Sequence, residues 1–320
     1  KKTAELVNVL PSERPQDAYQ VIADDTKPHI PKRLQPYMDR KVTKRTVMTI
    51  PYNAKPYSNA TYIKDALLDK GFKYVGDKSK YDVNHTNLRD AIYDDGRFLS
   101  REELTILVRR LRESMSRIVP GPMAVMKWIE DEINQAICNG PYIIVKDESR
   151  PYKEALDENG KVIKNLYYSR VCYTHPGFTW VTPSGFIVHQ RIKKKKVEVL
   201  DLQLLGRCQI RVATDDTDEV DRDRHKAATA PNLIHSLDAS LLHLSVQRFD
   251  APIALIHDSV LCRATDMSLL STIVRETYMD LFAKQDYLTD FASQIMAETE
   301  PPIIGDLEPS SVIDSTYFFC

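Results

Sequence analysis

A single aspartate between two apolar runs is the residue best suited to metal chemistry in this sequence. Four apolar residues, Ile253–Ile256, lead into His257, Asp258 and Ser259, and a second β-prone run covers Val260–Cys262. The pattern predicts two short strands joined by a tight turn with a carboxylate at its tip. A carboxylate at the end of a buried strand needs a metal ion or a cation beside it. Asp258 is therefore the leading candidate for a metal ligand, although an aspartate in a turn can also serve local hydrogen bonds alone.

Two cations, a methionine and a tyrosine share one predicted helix, where they could bind a nucleoside triphosphate. In the segment DRKVTKRTVMTIPYN, Arg40 and Lys44 are four residues apart and therefore project from the same helix face. Met48 continues that row, and Tyr52 follows the end of the helix. The cations would meet the phosphates, Met48 would pack on the base or sugar, and the phenol would contact the ribose. An amphipathic helix with a solvated cationic face explains the same pattern.

A third candidate pair lies in the segment APNLIHSLDAS, residues 230–240. His235 and Asp238 are three residues apart, about one helical turn, in an otherwise leucine-rich stretch. One interpretation is a core histidine held by a nearby carboxylate. The other is a hydrogen-bonding residue that faces a substrate hydroxyl. The pattern by itself leaves both interpretations open.

The elements that must position these residues follow an α+β pattern, with helices around a small antiparallel sheet. Ser100 and Glu103 form a capping box at the start of one helix, and Pro231 is predicted to start another. The sequence Pro-Gly-Pro at 120–122 is predicted to interrupt the helical pattern. Helices are predicted over 3–10, 15–25, 38–50, 60–69, 100–118, 123–138, 231–249, 266–284 and 287–298, and strands over 142–147, 166–173, 178–183 and 186–191, with a further hairpin over 197–211.

The composition describes a globular chain with segregated charge. Its 320 residues are 42% hydrophobic and 28% charged, enough for one large domain or two smaller ones. The formal net charge is -1, yet residues 27–55 and Arg191–Lys196 are basic and residues 215–223 are acidic. Local basic surfaces indicate a polyanionic partner. Five cysteines without paired spacing indicate reduced thiols inside a cell, and no apolar run has transmembrane length, so no membrane partner is expected.

Taken in order, the three candidate segments resemble the fingers and palm motifs of the single-subunit RNA polymerase family of phage and mitochondrial type. The segments NVLPSERPQDAYQVI, TWVTPSGF and LLGRCQIR look like family segments in family order, and the YFFC ending resembles the family's aromatic C-terminal tail. The resemblance covers nearly the whole chain and is loosest over 71–175. It implies a right-hand polymerase fold of fingers and palm, without a thumb or an N-terminal domain.

The resemblance also implies an order of subdomains along the chain. Palm-associated helices would occupy residues 1–30. The fingers would occupy 31–165 and contain the nucleotide-binding helix at 38–52. The palm would occupy 166–264, with an insertion similar to a promoter-binding hairpin at 186–211, and residues 265–320 would form the C-terminal palm helices and the tail.

The implied reaction is the two-metal transfer of a nucleotidyl group to the RNA 3′ end on a DNA template, with Mg²⁺ as the cofactor. Asp258 would ligate the metal ions. Arg40 and Lys44 would hold the incoming triphosphate, and Lys44 would neutralise or protonate the leaving pyrophosphate. Tyr52 and His235 would together sense the ribose 2′-hydroxyl, because a site built to hydrogen-bond a hydroxyl rejects a nucleotide that lacks it.

Contacts with nucleic acid are a further implication of the resemblance. Tyr57 would stack on a template base, and His257 would support the turn beside the primer end. In the hairpin over 186–211, basic residues would meet phosphates while Asp201, Gln209 and Arg211 face bases, and a solvated loop is the alternative for the lysine run. The residues expected to contact nucleic acid are Arg45, Tyr57, Arg191, Lys193, Lys194, Lys195, Lys196, Arg211 and His257.

Two departures from the family pattern bear on the site and its partners. Asn53 stands where the family usually has glycine after the tyrosine, and asparagine tolerates a left-handed backbone. The family's first palm motif, which carries the second metal-binding aspartate, has no counterpart here, and Asp17, Asp24 and Asp25 lie in a helical context. We therefore expect this chain alone to be inactive. A second polymerase subunit, or an upstream part of the same polypeptide, would supply the missing carboxylate, as in phage enzymes divided between two subunits.

The expected partners are the DNA template, the RNA product, nucleoside triphosphates and, in some arrangements, an accessory promoter-opening factor. The expected location is the cytoplasm of an infected bacterial host, with the mitochondrial matrix as the alternative.

Two other functions stay open. A DNA polymerase of the related family shares the Arg/Lys/Tyr spacing but usually has glutamate after His-Asp, where Ser259 stands here. A non-catalytic nucleic-acid-binding subunit would need cations and aromatics but no metal carboxylate. A metal-dependent hydrolase is disfavoured, because no second carboxylate or histidine cluster lies near Asp258 in the sequence.

Overall fold

A computed structural model describes residues 2–76, 97–146, 153–156, 162–166, 169–202, 208–284, 286–303 and 305–318. The α-helices of this part are α1 (Lys2–Leu6), α2 (Ala18–Thr26), α3 (Arg40–Thr49), α4 (Pro56–Leu68), α5 (Arg101–Ile118), α6 (Pro120–Asn139), α7 (Arg222–Gln247), α8 (Met267–Lys284) and α9 (Tyr287–Gln294). Short 3-10 helices cover Lys27–His29, Lys32–Tyr37, Ala264–Asp266 and Pro309–Val312.

The strands form small two-stranded sheets. They are β1 (Lys73–Gly76), β2 (Phe98–Ser100), β3 (Tyr142–Lys146), β4 (Lys153–Leu156), β5 (Val162–Leu166), β6 (Ser169–Tyr173), β7 (Phe178–Val181), β8 (Ile187–Gln190), β9 (Lys193–Leu202), β10 (Cys208–Val220), β11 (Ile253–Ile256) and β12 (Ser259–Cys262). β1 and β2 pair in parallel, whereas β3–β6, β4–β5, β7–β8, β9–β10 and β11–β12 are antiparallel. Helices combined with small, mainly antiparallel sheets confirm the predicted α+β class.

Three helix boundaries differ from the prediction at prolines. α6 begins at Pro120 and α4 at Pro56, because a proline in the first turn has no intrahelical hydrogen bond to lose. Pro231 lies inside α7, which starts at Arg222. Residues on both sides of Pro231 are buried, including Thr229 and Leu233, so tertiary packing holds the helix together through the proline. The predicted capping box of α5 is confirmed.

The lysine run belongs to a strand and not to a connecting loop. Lys193 already pairs with Val220, and the β9–β10 hairpin is longer than the predicted 197–211. The alternative of a solvated loop is therefore wrong for Lys193–Lys196, because the aliphatic stem of lysine fits a ladder whose charged heads reach solvent. Parts of the predictions for 71–99, 166–173 and 197–211, and the last two residues of the YFFC tail, lie outside the described residues.

The first hydrophobic core lies among α2, α3, α4 and α5. α5 buries Leu104, Leu107, Val108 and Leu111 at the three- and four-residue spacing of one helix face. Burying a leucine side chain stabilises the fold by about 1.5–3 kcal/mol, so this face fixes α5 against its neighbours. The end of α3, where Tyr52 follows, is thereby held on this core.

A second core packs α6, α7 and α9 against β7 and β8, with Ile133, Trp180, Leu233 and Phe291 at its centre. A third and smaller cluster under α8 includes Phe249 and Val274. Among the described residues, no helix combines the length and apolar character required to cross a bilayer.

The C-terminal tail packs back on the molecule. The Phe318 ring lies 4.9 Å from that of Tyr278 in α8, and the Arg275 guanidinium donates a 2.9 Å hydrogen bond to the Ser315 carbonyl. The Ser315 hydroxyl donates to the carbonyl of Asn8 at 2.6 Å. The tail therefore joins α8 to the first residues of the chain.

Candidate active site

The predicted carboxylate sits at the tip of a two-residue turn. Ile256 pairs with Ser259, so only His257 and Asp258 connect β11 to β12. His257 has a left-handed φ of 56°, a conformation that costs an L-residue about 1–2 kcal/mol and that histidine adopts more often than most residues. The turn thereby holds Asp258 clear of both strands, and the prediction of a strand–turn–strand unit is confirmed.

One premise of that prediction is wrong. The strand before Asp258 was taken as buried, yet Ile256 is 57% exposed and Leu261 is 58% exposed. Within the described residues, β11 and β12 pair only with each other, so both outer edges of this hairpin are open. The third core covers only some of the apolar residues of the hairpin: Ile253 and Val260 pack against it, whereas Ile256 and Leu261 are exposed.

The predicted cation row lines one cleft. Arg40, Lys44 and Met48 border a cavity of about 670 Å³ together with Gln20, Asp39, Lys41 and Arg45. Asp39 caps α3 by accepting a hydrogen bond from the Val42 amide. The Arg40 Nε lies 2.6 Å from the Asp17 carboxylate, whereas Lys44 forms no ion pair with any residue that the structure describes. Of the two predicted cations of the cleft, Arg40 is therefore engaged by a carboxylate, and Lys44 has no ion-pair partner among the described residues.

Tyr52 and His235 come together as the sequence analysis expected. Their rings stack with centroids 4.9 Å apart and planes 10° apart, which joins the end of α3 to α7. Burial raises the pKa of the Tyr52 phenol, and the negative charges of Asp238 and Asp258 raise this pKa further. The phenol therefore stays protonated and keeps a hydrogen-bond donor for a ligand.

Asp238 is the member of this site that the sequence analysis did not assign. Burial raises the pKa of its carboxyl, as does the charge of Asp258, while His235 acts in the opposite direction. Asp238 keeps contact with solvent, so its environment is a cleft and not a closed core. Its position one helical turn after His235 was the available signal, and the two interpretations of that pair, a core contact and a residue that faces a substrate hydroxyl, give Asp238 no role beside the metal ligand.

The carboxylates suit a hard divalent cation. Mg²⁺ is usually bound through one or two carboxylates with phosphates and water, and the mutual repulsion of Asp238 and Asp258 favours a cation beside them. In the described part of the chain, no group of three or more histidine, cysteine, aspartate or glutamate side chains could hold a metal ion. Asp238 and Asp258 are therefore the two carboxylates of this site that could help to hold a metal ion.

Asn53 adopts the geometry for which the family usually has glycine. Its φ is 60°, and its side-chain amide donates to the Glu130 carboxylate and, at 3.4 Å, to the Lys226 carbonyl. The Lys55 ammonium donates to the Asn53 side-chain carbonyl at 2.7 Å and lies 3.6 Å from Glu130. This group, which we name the Asn53 latch, ties the end of α3 to α6 and α7.

A buried polar network holds α7 in place below the site. Gln190 Nε2 donates to Thr229 at 2.8 Å and lies 3.1 Å from His225 Nδ1, and His225 Nε2 accepts the Ile192 amide at 2.9 Å. Burial lowers the pKa of His225 to about 4, with a smaller contribution from His175. Sequence reasoning missed this network, because its members carry no distinctive spacing.

The residues expected to contact nucleic acid divide into two groups. Tyr57, at the start of α4, is 85% exposed, and Arg45 packs its guanidinium 4.3 Å from the ring centroid of Tyr62. On the β9–β10 hairpin, Lys193 pairs with Asp218 at 3.4 Å and Lys194 with the buried Glu219 at 2.7 Å. Lys194, Lys195, Lys196 and Arg211 are exposed on the hairpin, and Arg191 is exposed just before it. The acidic stretch thus neutralises part of the lysine run.

Comparison with known proteins identifies relatives among phage and organellar polymerases. The chain is 27% identical to T7 RNA polymerase of Escherichia phage T7 over 300 residues, which cover 88% of this chain and 29% of that protein. It is 26% identical to the mitochondrial DNA-directed RNA polymerase 1 of Arabidopsis thaliana over 337 residues, which cover 100% of this chain and 29% of that protein. A stretch of 145 residues is 33% identical to the DNA-directed RNA polymerase of Pseudomonas phage phiKMV and covers 44% of this chain and 18% of that protein. The chain therefore spans less than a third of the length of these relatives.

A family model described as DNA-dependent RNA polymerase matches residues 1–305. The match includes α3, the α7 segment around His235 and the β11–β12 turn. The chain belongs to the DNA-dependent RNA polymerase family, with relatives of phage and mitochondrial type.

Proposed function

We propose that this chain supplies the fingers and palm of a DNA-dependent RNA polymerase that adds ribonucleotides to an RNA 3′ end on a DNA template. The observation that carries the proposal is the Tyr52–His235 ring stack, within the electrostatic reach of Asp258. The cationic cleft along α3 extends to Met48, four residues before Tyr52, and suits a triphosphate. In this proposal the fingers are 31–165, the palm is 166–264, and 1–30 with 265–320 support the palm.

Each residue of the site has a separate task in the proposed reaction. Arg40 and Lys44 bind the triphosphate, and Lys44 neutralises or protonates the leaving pyrophosphate. Met48 packs on the nucleotide. Tyr52 and His235 hold the ribose and are left without a hydrogen-bond partner when the 2′-hydroxyl is missing.

Asp258 is the proposed ligand of Mg²⁺. Asp238 lies close enough to Asp258 for the charge of Asp258 to raise the pKa of the Asp238 carboxyl. When bound, Mg²⁺ neutralises the phosphate charge that develops during transfer. A further carboxylate from a second subunit, or from an upstream segment of the same polypeptide, completes the site. The open edges of the β11–β12 hairpin are the proposed contact surface for that part.

The proposal is tested by ribonucleotide incorporation on a single-stranded DNA template with Mg²⁺. The chain is assayed alone and together with its upstream sequence or co-purifying subunit, each beside the Asp258→Ala variant. We expect incorporation only in the completed enzyme, and its loss in the variant. Full activity of Asp258→Ala in the completed enzyme would assign the chain to the non-catalytic, nucleic-acid-binding class.

Selectivity between ribo- and deoxynucleotides separates the RNA polymerase from a DNA polymerase. The Tyr52→Phe variant lacks the phenol hydroxyl, and we expect its preference for ribonucleotides to fall about tenfold, the equivalent of about 1.4 kcal/mol for one lost hydrogen bond. Tyr278→Phe, in α8 against the Phe318 ring, is the control and should keep the preference. A completed enzyme that prefers deoxynucleotides would support the alternative.

A further inference from the structure

A second, larger groove runs between α4 and α5. Its volume is about 1170 Å³, and α5 lines it from Arg101 to Arg117. At about 1.5 Å of rise per residue, this helix face is about 24 Å long. Of the described residues that were expected to contact nucleic acid, only Tyr57 borders this α4–α5 groove.

The floor of the α4–α5 groove is apolar. Leu104 and Val108 of α5 lie at its base, 7% and 5% exposed, and Ala60 faces them from α4. Leu104 and Val108 are four residues apart and therefore lie on the same helix face. Most of their surface packs into the first core, and the remainder is open to the groove. Bases can pack on such a floor, whereas free phosphate cannot.

The rim of the groove is strongly cationic. Five cations, Lys64, Arg101, Arg109, Arg112 and Arg117, line it with a single carboxylate, Glu113. Three of these residues have other partners: Glu113 pairs with Arg110 at 2.8 Å, Arg117 with Asp25 at 2.6 Å, and Arg112 donates to the Ala54 carbonyl at 2.9 Å. Lys64, Arg101 and Arg109 form no ion pair with any residue in the described part of the chain, and the Lys64 ammonium lies 5.5 Å from the ring centroid of Tyr74.

Aromatic side chains accompany the cations of the rim. Tyr57 is 85% exposed at the first turn of α4, and Tyr74 of β1 is 38% exposed on the rim. Tyr57 follows Tyr52 by five residues, so this part of the rim adjoins the segment that holds the ribose site. Cations that follow a backbone, combined with aromatic rings that accept bases, are the usual features of a site for single-stranded nucleic acid.

We propose that the α4–α5 groove binds a single-stranded segment of the DNA template as it approaches the nucleotide site. This inference rests on the proposed polymerase function. A duplex would present phosphates to the rim and leave the apolar floor and Tyr57 without partners. At the spacing of about 3.4 Å per nucleotide in one strand of a duplex, a length of about 24 Å accommodates about seven nucleotides.

The test is binding of a fluorescein-labelled, 20-nucleotide single-stranded DNA to the completed enzyme, measured by anisotropy over a range of salt concentrations. The groove variant is Arg101→Gln with Arg109→Gln, and the control is Arg14→Gln with Lys127→Gln, two exposed cations outside the groove. We expect about tenfold weaker binding for the groove variant, and a salt slope smaller by about 1.4, because each lost phosphate contact removes about 0.7 from the slope. Equal affinity and slope in groove and control variants would overturn the proposal.

A crosslink identifies the occupant even if the groove variant folds poorly. Thr105→Cys, on the groove face of α5, is labelled with a benzophenone and irradiated during RNA synthesis, with the labelled unsubstituted enzyme as the reference. Crosslinks to the unpaired template strand support the assignment, whereas crosslinks only to RNA, or to no nucleic acid, overturn it. Asp258→Asn should lose incorporation yet keep DNA affinity, so failure of the polymerase proposal and failure of the groove proposal give different results.

Discussion

At the scale of single residues, the candidate triphosphate cleft contains its own competitor. Asp17 caps α2 and also binds Arg40, with the carboxylate 2.6 Å from the guanidinium Nε. A phosphate that reaches Arg40 must replace this partner. Both side chains are about half exposed, so the ion pair contributes at most about 1 kcal/mol.

We therefore predict that Asp17→Asn lowers the KM for nucleoside triphosphates by up to about fivefold, the factor that corresponds to about 1 kcal/mol. Asparagine is as good a helix cap as aspartate, so the free energy of unfolding should change little. Asp24→Asn is the matched control, because it removes the Asp24–Lys27 pair of the same helix without touching Arg40. Steady-state kinetics of the completed enzyme measure the effect, and an identical KM in all three proteins would contradict the competition.

At the scale of elements, the Asn53 latch determines how the end of α3 meets α6 and α7. Glycine at this position would accept the φ of 60° but would lose the contacts to Glu130 and Lys226. Alanine would lose the same contacts and would also be strained.

We predict that Asn53→Gly destabilises the chain by about 1 kcal/mol, the typical net value of a hydrogen bond. Asn53→Ala should cost a further 1–2 kcal/mol, roughly the penalty for a left-handed L-residue. Urea unfolding of the three proteins gives both differences. If alanine and glycine have equal effects, the left-handed backbone is not maintained in solution.

The network below α7 should make stability depend on pH. The pKa of His225 is about 4 in the fold and 6.5 in the unfolded chain, so the unfolded state gains a proton first as the pH falls. This lowered pKa costs nothing above pH 6.5 and destabilises the fold increasingly between pH 6.5 and pH 4.

We predict that this residue accounts for a loss of roughly 2 kcal/mol in the free energy of unfolding between pH 7 and pH 5. His225→Gln cannot titrate but can still accept the Ile192 amide, and its stability should fall less over the same interval. Parallel pH dependence of the two proteins would show that His225 is not held neutral by the fold.

At the scale of the whole molecule, the β11–β12 hairpin is the least covered part of the candidate site. Ile256 and Leu261 expose more than half of their surface, and both strand edges are open within the described residues. A strand or apolar surface from the completing part of the enzyme would pair with these edges.

We predict that hydrogen exchange of the Ile253–Cys262 backbone amides slows at least tenfold when the chain is completed by its upstream sequence or subunit. Mass spectrometry of the chain alone and in the completed enzyme measures the change, and peptides from α5 serve as the internal control. Unchanged exchange in the hairpin would place the contact surface elsewhere.

Sequence reasoning predicted the features that depend on residues close together in sequence and missed those that depend on contacts between distant segments. The α3 row, the α5 capping box and the two-residue turn before Ser259 depend on neighbours in sequence, and the structure contains all three. The course of α7 through Pro231 depends on packing between distant segments, which local rules do not describe. The exposed hairpin, the place of Asp238 and the pairing of Lys194 with Glu219 were unpredictable for the same reason.

The Tyr52–His235 stack has a mechanical consequence. Tyr52 follows a helix anchored in the first core, and His235 lies on a helix anchored in the second, so the two nearly parallel rings bridge the two cores, both of which Met123 also contacts. Any rotation of one core relative to the other must change the distance or the angle between the two rings. The ring current of Tyr52 acts on the His235 protons over such short distances, so the chemical shift of this imidazole becomes a gauge of the relative position of the two cores.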